Sequence, residues 1–148
     1  MKRFTFRLER VLELRSAAER QQAGVVGEAA SLESARRRAT DASEAHLGTV
    51  HEQLSGTGMI AAGMRCALGL SAVAAAHNVA AARDALAEAA TQQHEALERF
   101  AEMRTARMSI ERLRERQSAE WSVAELRSDQ ADNDEVARQL HAGQRGGA

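Results

Sequence analysis

The chain has 148 residues, 32 of them alanine, with no proline, no tyrosine and only 3% aromatic residues. That length suits one ordinary domain, but so few bulky side chains cannot fill a compact core, and the abundance of Ala, Glu, Leu and Arg favours long helices burying one narrow seam. The formal net charge of −1 provides no global basic field to attract nucleic acid.

The first element begins in "FTFRLERVLELR", residues 4–15, which uses two of the three phenylalanines. Steps of four and three from Phe4 pass through Leu8, Val11, Arg15, Ala18, Gln22, Val25, Ala29, Leu32, Arg36, Ala39, Ser43, His46 and Val50. Nine of these fourteen positions are apolar, which predicts a heptad-patterned helix over about 5–54 with Thr5 as its N-cap. Leu47 and Leu54 lie on the adjacent stripe, where the seam can shift. Arg36, Arg37 and Arg38 form a short basic run without interleaved aromatic residues, so they read as a solvated helix face.

"LSGTGM" holds Gly56 and Gly58 around Thr57 and marks the break, with the turn over about 55–58. The same glycines do not make a phosphate loop, because Met64 stands where that motif needs lysine. A second helix is expected over about 59–141, with Leu97, Phe100, Met103, Ile110, Leu113, Gln117, Trp121 and Ala124 on its later stripe and Arg107 near it. A frayed glycine-containing tail over 142–148 follows. Residues 59–82 carry one charge, Arg65, which with His77 and Asn78 argues against a membrane span. There Cys66, Leu70, Val73 and His77 step by four, three and four along one face, which is either seam or an exposed surface for a partner.

Two long patterned segments around one break predict an all-α fold, a long antiparallel two-helix coiled-coil hairpin in a single elongated domain. A turn near residue 57 makes facing numbers total about 114, placing Phe4 opposite Ile110, Leu8 opposite Ala106 and Val11 opposite Met103. Phe4 and Phe6 then clamp the open end against Phe100, Met103 and Ile110. The second helix outruns the first, leaving about 30 residues after Arg112 as an overhang with no partner in the chain. That overhang carries Leu113, Trp121, Val123, Leu126, Val136 and Leu140, so it reads as a docking element anchored by Trp121.

The residues offer no catalytic constellation and no cofactor motif. The five histidines are never three or four apart and Cys66 has no companion ligand, so no metal site is expected. A single cysteine excludes an internal disulfide and suits a reducing compartment. "MKRFTFRLER" lacks the apolar stretch of a secretory signal.

The opening stretch resembles the start of the FliJ family of flagellar export proteins through Phe4, Phe6, Leu8, Glu9, Val11, Leu12, Leu14 and Arg15. "IERLRERQSAEW" resembles that family's second signature through Glu111, Leu113, Glu115 and Arg116, and Asp134-Glu135 fits its acidic element. The aromatic residues common near the family's hairpin tip are missing. The resemblance implies a non-enzymatic, cytoplasmic coiled-coil component of the bacterial flagellar type III export apparatus, peripheral at the inner face of the plasma membrane through its partners. Those partners would be the export ATPase ring, the export gate protein and substrate chaperones. It implies an ATPase contact through Phe4, Phe6, Leu8, Val11, Leu12, Glu111, Leu113, Glu115, Arg116 and Trp121, and a gate contact through Cys66, Leu70, Val73 and His77. The alternative is a generic coiled-coil scaffold forming a homodimer through its overhang.

Overall fold

The computed structural model describes residues 4–56 and 62–145, with side chains in the second stretch as far as Gln139. It is an all-α helical hairpin: α1 spans Glu9–Ser55 and α2 spans Ala62–Arg145, and the described residues include no strand. Helix is what proline-free, alanine-rich sequence dictates locally. The expected turn residues Thr57 and Gly58, and the expected helical start at Met59, lie outside the described residues. Gly56 does not take left-handed backbone angles, and its N–H donates to the Glu52 carbonyl at 2.8 Å as the last turn closes.

The start of α1 differs from expectation. Residues 4–8 are not helical, so Thr5 is not the N-cap. Instead the Glu9 N–H donates to the Phe6 carbonyl at 3.1 Å, and the acidic Glu9 occupies the first turn, where it complements the free amides.

The chain divides into two compact units. The unit over residues 19–102 pairs α1 and α2 in antiparallel fashion. The Gln22 side-chain amide donates to the Ala96 carbonyl at 3.2 Å, and the Thr40 hydroxyl reaches the Ala82 carbonyl at 3.2 Å. Seam positions on α2 are Leu68, Ala72, Ala75, Val79, Ala82, Leu86, Ala89, Gln93, Ala96 and Phe100, all buried or half-buried and alternating in steps of four and three. On α1 the matching positions are Glu19, Val26, Glu33, Thr40, Leu47 and Leu54, seven apart, beside Gln22, Ala29, Ser43 and Val50.

This α1 seam is displaced from the expected one. Val25 and Leu32 are exposed, whereas Val26, Leu47 and Leu54 turn inward. One residue rotates a helix position by about 100°, and adjacent stripes of α1 are similarly apolar, so the choice falls to the fit against α2. The register differs as well. Gln22 faces Ala96 and not residue 92, and Thr40 faces Ala82 and not residue 74. α1 ends at Ser55 and α2 begins at Ala62, so the midpoint between them falls beyond residue 57 and shifts the partners along α2.

The stretch 64–79 separates into two stripes. Leu68, Ala72, Ala75 and Val79 enter the seam, while Cys66, Leu70, Val73 and His77 are exposed, Leu70 at 73%. Their apolar faces have equal periodicity, and the smaller alanines permit closer helix approach. Among the described residues no helix is long and apolar enough to cross a membrane.

Gly24, Gly27 and Gly48 lie within α1 with open space where a Cβ would be built. Each replacement by alanine is expected to raise stability by about 0.5–1 kcal/mol, because glycine loses more backbone entropy in a helix. Thermal unfolding followed by circular dichroism checks this, and a fall in melting temperature for these variants would contradict the described placement.

Candidate functional site: the unit joining the two signatures

The second compact unit comprises residues 1–18 and 103–148, and it contains all ten residues assigned to a candidate ATPase contact. Its geometry starts from the nonhelical lead into α1. In the nonhelical stretch Phe6 is buried, 8% exposed, and Leu12 joins it from the first turn of α1. These two side chains form the apolar anchor of the unit, and they are not surface groups.

Phe4 packs on Trp121, with ring centroids 6.1 Å apart and planes inclined by 49°. This separation lies within the roughly 4.5–7 Å range of favourable aromatic pairs. The expected partner, Ile110, lies about three helical turns earlier. The clamp of Phe4 and Phe6 at the start of the chain therefore closes on a later part of α2 than expected, and Trp121 is half-buried by an intrachain contact.

A second cross-helix contact follows. Arg114 Nε lies 3.2 Å from Glu9 Oε2, both side chains being about half exposed. Facing arithmetic about residue 57 does not pair Glu9 with Arg114, so sequence reasoning misses this contact. The available signal was that each motif contains one member, Glu9 in the first and Arg114 in the second. Solvent limits such a pair to about 0–1 kcal/mol, so it aligns the helices more than it stabilises them.

Together Phe4, Glu111, Arg114, Glu115, Ser118, Ala119 and Ser122 line an open groove of about 460 Å³. Glu111 is held by Arg107 one turn earlier. Leu113 is half-buried. Glu115 and Arg116 are exposed, Arg116 lying 4.0 Å from Glu120. Leu8, just before α1, and Val11 and Leu14 on it are apolar side chains left in part exposed. The unit thus presents aliphatic side chains and both signs of charge beside an aromatic pair. This suits recognition of another protein surface. Among the described residues no cluster of three His, Cys, Asp or Glu side chains could hold a metal ion.

The overhang also needs correction. Through Trp121 and Glu125 α2 still has half-buried positions, so the expected boundary at Arg112 is too early. Every position from 126 to 139 is exposed, including Leu126 at 68% and Val136.

Two outcomes are expected. Removing Phe4 and Trp121 side chains singly and together should reveal a coupling of about 0.5–1.5 kcal/mol in a double-mutant cycle of chemical denaturation; additive losses would deny the ring contact. Truncation after Arg127 should leave the melting temperature nearly unchanged, whereas truncation after Gln117 should lower it by removing Trp121. Equal melting of the two truncated chains would show that Trp121 does not hold Phe4.

The chain matches the family described as "Flagellar FliJ protein" over residues 4–146. No curated protein and no solved structure gives a significant match. The match covers nearly the whole chain, including both terminal motifs and the long helices between them: the protein belongs to the FliJ family and is a component of flagellar protein export.

Proposed function

We propose that the protein is a non-enzymatic adaptor that docks on the export ATPase through the unit containing residues 4–18 and 103–125. The observation that carries this reading is the convergence of both family signatures in one unit, Phe4 against Trp121 and Glu9 against Arg114. Phe6 and Leu12 supply the rigid base, and Leu8, Val11, Glu115 and Arg116 supply the accessible contacts. Fixed charged and aliphatic groups lose little freedom on binding, which favours specific docking.

The export gate contact is proposed on the exposed α2 stripe of Cys66, Leu70, Val73 and His77. These side chains lie outside the seam, so a partner can cover them without parting the helices. Their aliphatic character supports recognition of an apolar surface, and substrate chaperones are the third proposed class of partner. The site of action is cytoplasmic, with membrane proximity supplied by those partners.

Purified export ATPase tests the docking reading directly. Leu8→Ala with Val11→Ala, and separately Arg116→Glu, should weaken binding at least about tenfold, or about 1.4 kcal/mol, in titration calorimetry with helicity retained; melting should stay nearly unchanged for Arg116→Glu, whereas Leu8 and Val11, each 37% exposed, also give up some packing. The charge reversal should chiefly slow association and reduce its salt dependence. Unaltered affinity in both variants would reject this surface as the ATPase contact. Leu70→Asp should leave ATPase binding intact and weaken capture of the purified gate protein.

A further inference from the structure

We propose that two copies of the chain pair through the outward face of α2 between Ala62 and Ala81, antiparallel about a two-fold axis at the level of residues 71 and 72. In the unit of residues 19–102, α2 turns Leu68, Ala72, Ala75 and Val79 toward α1. Gly63, Cys66, Leu70, Val73, His77 and Ala80 form a second stripe, about half a turn around the helix from the first. All six are exposed, Leu70 at 73% and Val73 at 58%. Facing away from α1, they cannot be covered by it.

This outward face carries no charge. The positions flanking the stripe are Ala62, Ala67, Gly69, Ala74, Ala76 and Ala81. In paired helices such flanks are where charged side chains select partners by sign, and here every one is alanine or glycine. Arg65, the single charged residue from Ala62 to Ala82, projects about a third of a turn to the side. Charge returns to the outward face at Asp84, which bounds the stripe. In a chain whose residues are 28% charged, an exposed face with aliphatic side chains and no charge marks a surface to be covered.

The occupant is a second copy. A foreign surface of ordinary charge content would bring ions against a face with nothing to pair them, and their desolvation would go uncompensated. A two-fold interface brings the same uncharged face from both sides. The alanine and glycine flanks let two α2 backbones approach closely, as the alanines of the intrachain seam do. The spacing is symmetric about residues 71 and 72: Leu70 meets Val73 of the second copy, Cys66 meets its His77 and Gly63 meets its Ala80. The central layers then hold the aliphatic pair, and the smallest residues lie at the ends. A parallel pair would set the two positive helix starts at Ala62 side by side. A contact one helix wide and about 30 Å long belongs to the small, transient class, under about 1,200 Å², so the dimer forms and parts with protein concentration. The gate contact proposed above uses the same stripe, so paired and gate-bound chains exclude each other; the pairing itself does not depend on that contact.

Sedimentation of the purified full chain, with no other protein present and at concentrations up to about 1 mM, tests this. Reversible monomer–dimer exchange is expected. Leu70→Asp and, separately, Ala74→Glu should raise the dimer dissociation constant at least about tenfold. Both positions are exposed, so circular dichroism should show unchanged helicity. Leu126→Asp, on the exposed end of α2, should leave the constant unaltered. For direction, the native chain is mixed with a chain carrying Cys66→Ser and His77→Cys under mild oxidation. Antiparallel pairing sets Cys66 of one copy opposite position 77 of the other. Two Cys66 residues then stand eleven positions apart, about 16 Å along the axis and beyond disulfide reach. The mixed disulfide should therefore form at least about tenfold faster than either homodimer, as read by mass spectrometry. A chain that stays monomeric throughout overturns the proposal. So does a dimer that survives Leu70→Asp or Ala74→Glu or is lost with Leu126→Asp, and so do homodimer disulfides that form as fast as the mixed one.

Discussion

Everything in the unit of residues 19–102 depends on a seam one or two side chains wide. No large side chain is fully buried among the described residues, and the closely packed positions of α2 are chiefly alanines and one valine. Alanine contributes little apolar area by itself. Its value is closeness: without a long side chain, the facing backbone comes within reach of a threonine hydroxyl and a glutamine amide. Those short polar bridges are possible because the seam is thin. The same thinness leaves half of each helix surface facing water, where charged residues provide solubility and local ion pairs such as Arg37 with Glu33. The hydrogen bond from Arg37 to Glu33 raises the arginine's already high pKa, keeping it charged.

The unit of residues 1–18 and 103–148 is held by different chemistry. There the bulky residues are concentrated: Phe6 and Leu12 inward, and Phe4 upon Trp121. An aromatic contact buries a large area through few contacts and suits a chain end, where a longer seam is not available. Because α1 begins only at Glu9, residues 4–6 can extend along α2 and bring Phe4 to Trp121. The helical start expected at Thr5 would have consumed that reach. The late start of α1 and the late position of the aromatic clamp are therefore one finding.

These two ways of packing leave separate exposed surfaces. Leu8, Val11 and Leu14 remain accessible beside the aromatic contact, and Leu70 and Val73 remain accessible outside the alanine seam. Leu14, Leu70 and Val73 are mostly exposed, while Leu8 and Val11, each 37% exposed, also pack in part against the fold. Such a division matters for any partner contact, because a side chain needed to hold the helices together is less available to a partner. The candidate residues consequently fall into different physical roles. Phe6 and Leu12 support, Phe4 and Trp121 close the unit, and Leu8, Val11, Glu115 and Arg116 face outward.

The amino-acid sequence by itself determined helix, break and helix, because backbone propensity is local: absence of proline and abundance of alanine sustain α1 and α2, while Gly56 and Gly58 mark the interruption. It also determined the family, since the two motifs are readable as strings. Tertiary structure decided which stripe is buried and what each position faces. Val25 and Val26 are neighbours of equal chemistry, yet only Val26 turns inward; Leu68 and Leu70 divide in the same way. No local rule separates them, because a repeat in steps of four and three can start on several adjacent stripes of an alanine-rich helix. Phe4 meeting Trp121 was equally beyond local reading. That contact depends on where the turn lies and where α1 starts, and a small change at either place displaces every facing pair along the helices.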